Sequence, residues 1–192
     1  MSNVDSRSRY DASSEGSLLT HRQVSTDSLA RQIAAGQVYA VIDPCGCDAI
    51  LMKVIELPRA QCICLFDHDK FAADFEDYWA VAPYLVNVNA GILSWIIDTI
   101  WQEPWGVLLL TESRRDSLLG HLRNILLVKG PDDEPLYFRF YDPRVLEDFL
   151  ATCHARELAE LFGRTSGFGI KTGVRGVFNV ASPKNGSGAY RR

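Results

Sequence analysis

Four of the five cysteines stand in two pairs, Cys45-Gly46-Cys47 and Cys62-Ile63-Cys64. Four thiolates converging on one point would suit a tetrahedral zinc ion. The paired ligands of zinc sites, however, are normally separated by about two to four residues, and here one residue intervenes. Cys62 and Cys64 also lie in an apolar run, 61–66. A period of two puts both on one face there, where they act as small hydrophobes. The expectation is packing, with no bound metal.

Asp67-His68-Asp69 follows that run directly. One aspartate as nucleophile and a second as acid and base around magnesium is the layout of phosphotransferases of the haloacid dehalogenase type. Asp43 and Asp142 also end apolar segments, so carboxylates could gather at one sheet edge, where α/β folds bind ligands. The details depart from that chemistry. Position 71 is Phe rather than a small hydroxyl residue, and no lysine with paired aspartates follows at a strand end. Helix capping and loop solvation are the expected roles. Magnesium-dependent phosphotransfer through Asp67 and Asp69 is the runner-up function.

Other chemical signals are weaker. The stretch GFGIKTG, residues 167–173, lacks the adjacent Gly and Lys of a phosphate-binding loop. The histidines, at 21, 68, 121 and 154, stand apart from any Ser or Cys nucleophile motif. His121 lies among Leu118, Leu119 and Leu122 and is expected at a core boundary. No cofactor is called for. On a helix over 91–103, Ile92, Leu93, Ile96, Ile97 and Ile100 form one apolar arc. Trp95 falls on the polar side with Ser94, Asp98 and Gln102. It is a candidate partner contact, unless another element covers it.

The elements that must position these groups follow from periodicity and capping. The pattern predicts a flexible, polar segment over 1–24, an α/β domain over 25–163 and a Gly-rich basic extension over 164–192. Strands are expected at 38–43, 61–66, 84–88 and 105–111, with a further strand candidate at 176–180 that could join the sheet edge. Helices are expected from 25 to 36, at 48–57, 71–79, 91–103 and 115–124, and over 144–162 with a break near Cys153–His154. The turn Gly130-Pro131-Asp132-Asp133 implies an antiparallel hairpin of 125–129 with 136–141. The fold class is therefore α/β, a mixed sheet with flanking helices and an antiparallel hairpin. In 136–141 the alternation puts Leu136, Phe138 and Phe140 on one face and Tyr137, Arg139 and Tyr141 on the other. Asp142 then caps a helix whose first turn holds Pro143.

The run FRFYDPRVL, residues 138–146, resembles the hallmark of a bacterial family first catalogued as a domain of unknown function. YAVID at 39–43, CLFD at 64–67, APYLV at 82–86 and SLLGHLRNILLVKGPDDEPLY at 117–137 match its order, so the resemblance covers roughly 37–152. One departure is Pro44-Cys45-Gly46-Cys47-Asp48, where many relatives carry a small residue and Ala. The resemblance implies an adaptor, or chaperone, of type VI secretion. Such a protein binds a secreted effector, often through the effector's N-terminal region, and helps load it onto a VgrG spike or its PAAR tip without catalysis. The motif residues Arg139, Tyr141, Asp142, Pro143 and Arg144 are expected to be architectural. The two arginines either bridge carboxylates or carbonyls, or hold an acidic client segment.

Bulk properties agree with such a role. The 192 residues suit one domain. A net charge of −4 argues against general nucleic-acid binding. No apolar run is long enough to span a bilayer, and the polar start is unlike a secretory signal, so no membrane partner and a cytoplasmic location are expected. From Arg164 onward the chain carries Lys171, Arg175, Lys184, Arg191 and Arg192 and no acid. Lys171 and Arg175 are thus candidate contacts to an acidic partner face. Removing 182–192 is expected to slow association at low salt and leave folding untouched.

Overall fold

The computed structural model describes residues 18–66, 80–130 and 132–184. Nine strands and six helices are found among them. They are β1 (Leu19–Ser25), α1 (Thr26–Ala34), β2 (Val38–Ile42), α2 (Asp48–Glu56), β3 (Cys62–Cys64), β4 (Tyr84–Asn87), α3 (Ala90–Thr99) and β5 (Gly106–Leu110). After these come α4 (Arg115–Ile125), β6 (Leu127–Lys129), β7 (Pro135–Tyr137), α5 (Pro143–Thr152), α6 (Ala155–Phe162), β8 (Gly167–Lys171) and β9 (Val177–Pro183).

Seven strands form one sheet in the order β1-β9-β8-β5-β2-β4-β3, and β6 and β7 form a separate hairpin. Every pairing in both is antiparallel. The two central strands show why a continuous apolar run was needed. All five residues of β2 and of β5 are buried. Period two sends Val38, Ala40 and Ile42 into one core and Tyr39 and Val41 into the other. The first core is closed by Leu29 of α1, Ile50 and Val54 of α2, and Ile92, Leu93 and Ile96 of α3. The second is closed by Leu118, Leu119 and Leu122 of α4, Leu146 of α5, and Leu158, Leu161 and Phe162 of α6. The result is an α/β/α layering with helices on both faces of the sheet. No described helix is long and apolar enough to cross a membrane.

Three expectations are corrected. The segment 1–24 was expected to be flexible, but Leu19–Ser25 is a strand that pairs along its whole length with β9. Only Leu19 and Val24 of its seven residues are apolar, and these two are buried, so the apolar signal was too sparse to mark it. The extension from 164 is likewise part of the sheet: the strand candidate at 176–180 is β9, and the unexpected β8 links it to β5. Gly167 and Gly169 permit this: added Cβ atoms there would crowd Val180 and Leu108. Ser182 and Pro183 pair with Thr20 and Leu19, so a cut at 182 removes structured residues.

The third correction concerns 136–141. Leu136 is exposed, Tyr137 is half-buried, and Phe140 and Tyr141 are both buried. The chain leaves the ladder after Phe138 N donates to Leu126 O at 2.8 Å. A turn with Asp142 N bonded to Arg139 O at 2.9 Å then drives two consecutive aromatics inward. Strand periodicity stops applying there.

Candidate functional site

The motif region folds into a compact polar knot under the second core. Positions 39, 41 and 43 share one face of the extended β2 segment, so Asp43, just past the strand, points toward the helices of the second core. Its carboxylate is 8% exposed. Asp43 Oδ2 accepts from Arg139 Nη2 at 2.7 Å, and Oδ1 accepts from Cys45 N at 2.9 Å. Arg139 also lies 3.9 Å from Asp142 Oδ2 and stacks over the Tyr141 ring at 5.7 Å.

Asp142 is the N-cap of α5, accepting from Arg144 N at 3.0 Å, with Pro143 in the first turn. The Arg144 guanidinium grips the same carboxylate in a fork, with Nε to Oδ1 at 3.0 Å and Nη2 to Oδ2 at 2.7 Å. These bonds hold the Asp142 carboxyl below its ordinary value: the Arg144 side chain acts most strongly, and burial opposes it. Tyr137 and Tyr141 complete the knot with their hydroxyls 3.2 Å apart. Burial raises both phenols, so they remain neutral donors.

The expected capping role of Asp142 is thus realised; Arg139 bridges the Asp43 and Asp142 carboxylates, and Arg144 binds that of Asp142. Asp43 was recognised as a strand-ending acid, but its pairing with Arg139 across the chain was not. Period two along YAVID was the available signal. Asp142→Ala should cost about 0.5–2 kcal/mol, measured by denaturant unfolding. The pH dependence has a definite sign. A folded-state value lowered from 3.8 adds stability above that value and loses it as pH falls through the lower one. Acid unfolding of Asp142→Asn should therefore start from a lower plateau and show a shallower loss below pH ~4, the unfolded carboxylate range.

The remaining candidates are placed as follows. Asp67, His68 and Asp69 lie outside the described residues, as does the helix expected at 71–79. Cys45 is exposed, Cys47 is the N-cap of α2, and Cys62 is buried on β3. Burial, with Cys64 beside it, pushes the Cys62 thiol up to about 12, and burial raises Cys64 as well. Such thiols are poor nucleophiles. No group of three or more potential metal ligands occurs among the described residues.

Trp95 is half-buried, packs against the first core and carries Lys53 Nζ 5.9 Å above its ring. Lys53 of α2 thus lies over Trp95 itself, while Ser94, Asp98 and Gln102 on the same side remain exposed. Trp95→Ala should lower unfolding free energy by about 2 kcal/mol, less than the 3–5 of a fully buried tryptophan. Thermal melts check this.

Lys171 and Arg175 are engaged within the fold. Lys171 Nζ donates to Trp101 O at 2.6 Å, and Arg175 donates to Ile97 O at 3.0 Å and Asp98 O at 3.3 Å. Helix α3 has no basic residue in its last turn; Arg175 supplies that charge to its terminal carbonyls, and Lys171 binds the chain just past the C-cap. His121 bridges helices, with Nε2 3.0 Å from Leu161 O, and burial lowers its pKa.

The family model described as Domain of unknown function (DUF4123) matches residues 38–160. The chain belongs to the DUF4123 family. No curated protein and no solved structure matches. The DUF4123 match runs from β2 into α6 and includes every member of the knot. It stops short of β1, β8 and β9, which extend the same sheet outside the matched range.

Proposed function

We propose that this DUF4123 chain is a cytoplasmic adaptor, or chaperone, of type VI secretion. It binds a secreted effector non-covalently through the effector's N-terminal region and promotes its loading onto a VgrG or PAAR spike. The observation that carries the reading is the DUF4123 match, a family known in type VI secretion contexts. The knot supports a non-catalytic role for the motif, because its carboxylates and guanidinium groups bond to one another and to backbone. A rigid α/β scaffold with a polar rim is also suited to holding one folded client.

The test is co-expression with the product of an adjacent effector-type gene. A complex of fixed stoichiometry, by size exclusion with light scattering, is the expected result. Magnesium-dependent hydrolysis of a phosphate ester, lost in Asp67→Asn and accompanied by no complex, overturns it.

A further inference from the structure

The β6–β7 hairpin stands outside the seven-stranded sheet, and among the described residues β7 is the one strand that pairs with β6. Its hydrogen-bond phase is fixed at both ends. Gly130 N donates to Glu134 O at 2.8 Å, and Phe138 N donates to Leu126 O at 2.8 Å. Antiparallel pairs alternate, so Val128 and Leu136 are the bonded pair between these two. Leu127 and Lys129 then turn their N–H and C=O groups away from β7, along the outer edge of β6. The corresponding positions of β7 are Pro135 and Tyr137, and Pro135 has no N–H. Of the two edges, β6 is the one able to pair fully with a further strand.

The side chains point the same way. Val128 and Leu136 are opposed across the hairpin and are 40% and 44% exposed. An isolated two-stranded hairpin is marginal in water, and an open edge of this kind is a template for another strand. Asp132, Asp133 and Glu134 make the turn acidic. Lys129 Nζ pairs with Asp133 at 3.0 Å, so one cation against three carboxylates leaves two negative charges. At its base the hairpin joins the knot, where Phe66 packs edge-on to Tyr137 at 5.5 Å and Tyr137 meets Tyr141.

We propose that β6 is a docking edge for an extended segment of a partner protein that alternates apolar and basic residues. The segment adds as a third strand along Leu127–Lys129. Its apolar side chains lie beside the Val128–Leu136 pair, and a lysine or arginine faces Asp132 and Glu134. Main-chain bonds supply affinity in this mode, and the alternate side chains supply selectivity. The inference deepens the adaptor reading and rests on it for the partner's identity.

Two blocked octapeptides, (Lys-Val)4 and (Glu-Val)4, are titrated into the full ¹⁵N-labelled chain. The Lys-Val peptide should shift amides 127–129 and slow hydrogen exchange at Leu127 and Lys129. The Glu-Val peptide should bind at least about tenfold more weakly, since like charges now face the turn. Val128→Ser with Leu136→Ser, which removes the apolar pair and adds no charge, should weaken the Lys-Val peptide by a similar factor. Lys129→Pro, which removes one outward N–H and spares the apolar pair, should do the same, each with an unchanged melting curve. Equal binding of the two peptides, or unprotected amides at Leu127 and Lys129, overturns the docking edge. A complex with the effector-type neighbour that survives Val128→Ser with Leu136→Ser also overturns it and leaves the adaptor reading standing. Peptide docking without any complex does the reverse.

Discussion

Gly106→Ala is expected to destabilise the chain by about 4 kcal/mol or more, the range reserved for severe backbone conflicts. Gly106 opens β5 opposite Ile42, with φ at 140°, a conformation that side chains other than glycine's rarely adopt. An added Cβ would collide with the Val41 carbonyl oxygen and come within 3.0 Å of the Val41 carbonyl carbon and 3.1 Å of Ile42 Cα. All three neighbours are backbone atoms of β2. They can retreat only by opening the central β2–β5 ladder, which also carries Asp43 N bonded to Trp105 O at 2.9 Å. Strained φ alone costs about 1–3 kcal/mol, and the collision adds to it. For a domain of this size each kcal/mol lowers the melting temperature by about 2–4 °C, so a drop of about 10 °C or more is expected. Gly120→Ala is the control. That glycine lies exposed in α4 with nothing within 4 Å of an added Cβ. There alanine should stabilise by about 0.5–1 kcal/mol, the mid-helix glycine penalty. Equal melting temperatures for the two variants would show that the strain at Gly106 is imaginary.

That glycine also marks where sequence reading ends. The apolar runs of β2 and β5, the cap at Asp142 and the hairpin turn at 130–133 were legible because each is a local preference. The α/β class followed from their alternation. Gly106 carried no such signal, because its need for a bare Cα comes from a strand distant in sequence. The same holds for β1 and β8. Their residues are polar or glycine-rich, and they become strands only because β9 and β5 offer partners. Lys171 and Arg175 read as free cations, since the carbonyls they serve lie some seventy or more residues away in sequence. For Trp95 the helical wheel left open whether another element covers it, because a wheel knows nothing of the neighbouring Lys53. In the knot, Asp142 with Arg144 was readable as a cap and its neighbour. Asp43 with Arg139 spans 96 residues and was not.

That long-range pair gives the second large effect. Arg139→Ala leaves the Asp43 carboxylate, 8% exposed, with one backbone donor and no cation. Removing one partner of a fully buried ion pair costs about 3–5 kcal/mol, because the remaining charge stays out of water. The Arg139 side chain is 44% exposed, so water can enter where it stood. A loss of about 2–3 kcal/mol is therefore expected, below the buried range and above the 0–1 kcal/mol of surface pairs. Asp43→Ala should cost less, since Arg139 can turn to solvent and still reach toward Asp142, now 3.9 Å away. The double variant should be more stable than the sum of the single losses by about 1–2 kcal/mol, because the second change removes a charge the first had stranded. Arg139→Lys should recover only part of the loss, since an ammonium cannot stack its plane over Tyr141 while reaching Asp43. Denaturant unfolding of the four-member cycle at low and high salt reads all of this. A coupling near zero, or one that vanishes at high salt as a surface pair would, refutes the structural role. Unchanged stability in Arg139→Ala together with lost effector binding would move the arginine from scaffold to contact surface. The acidic client segment would then be its true partner.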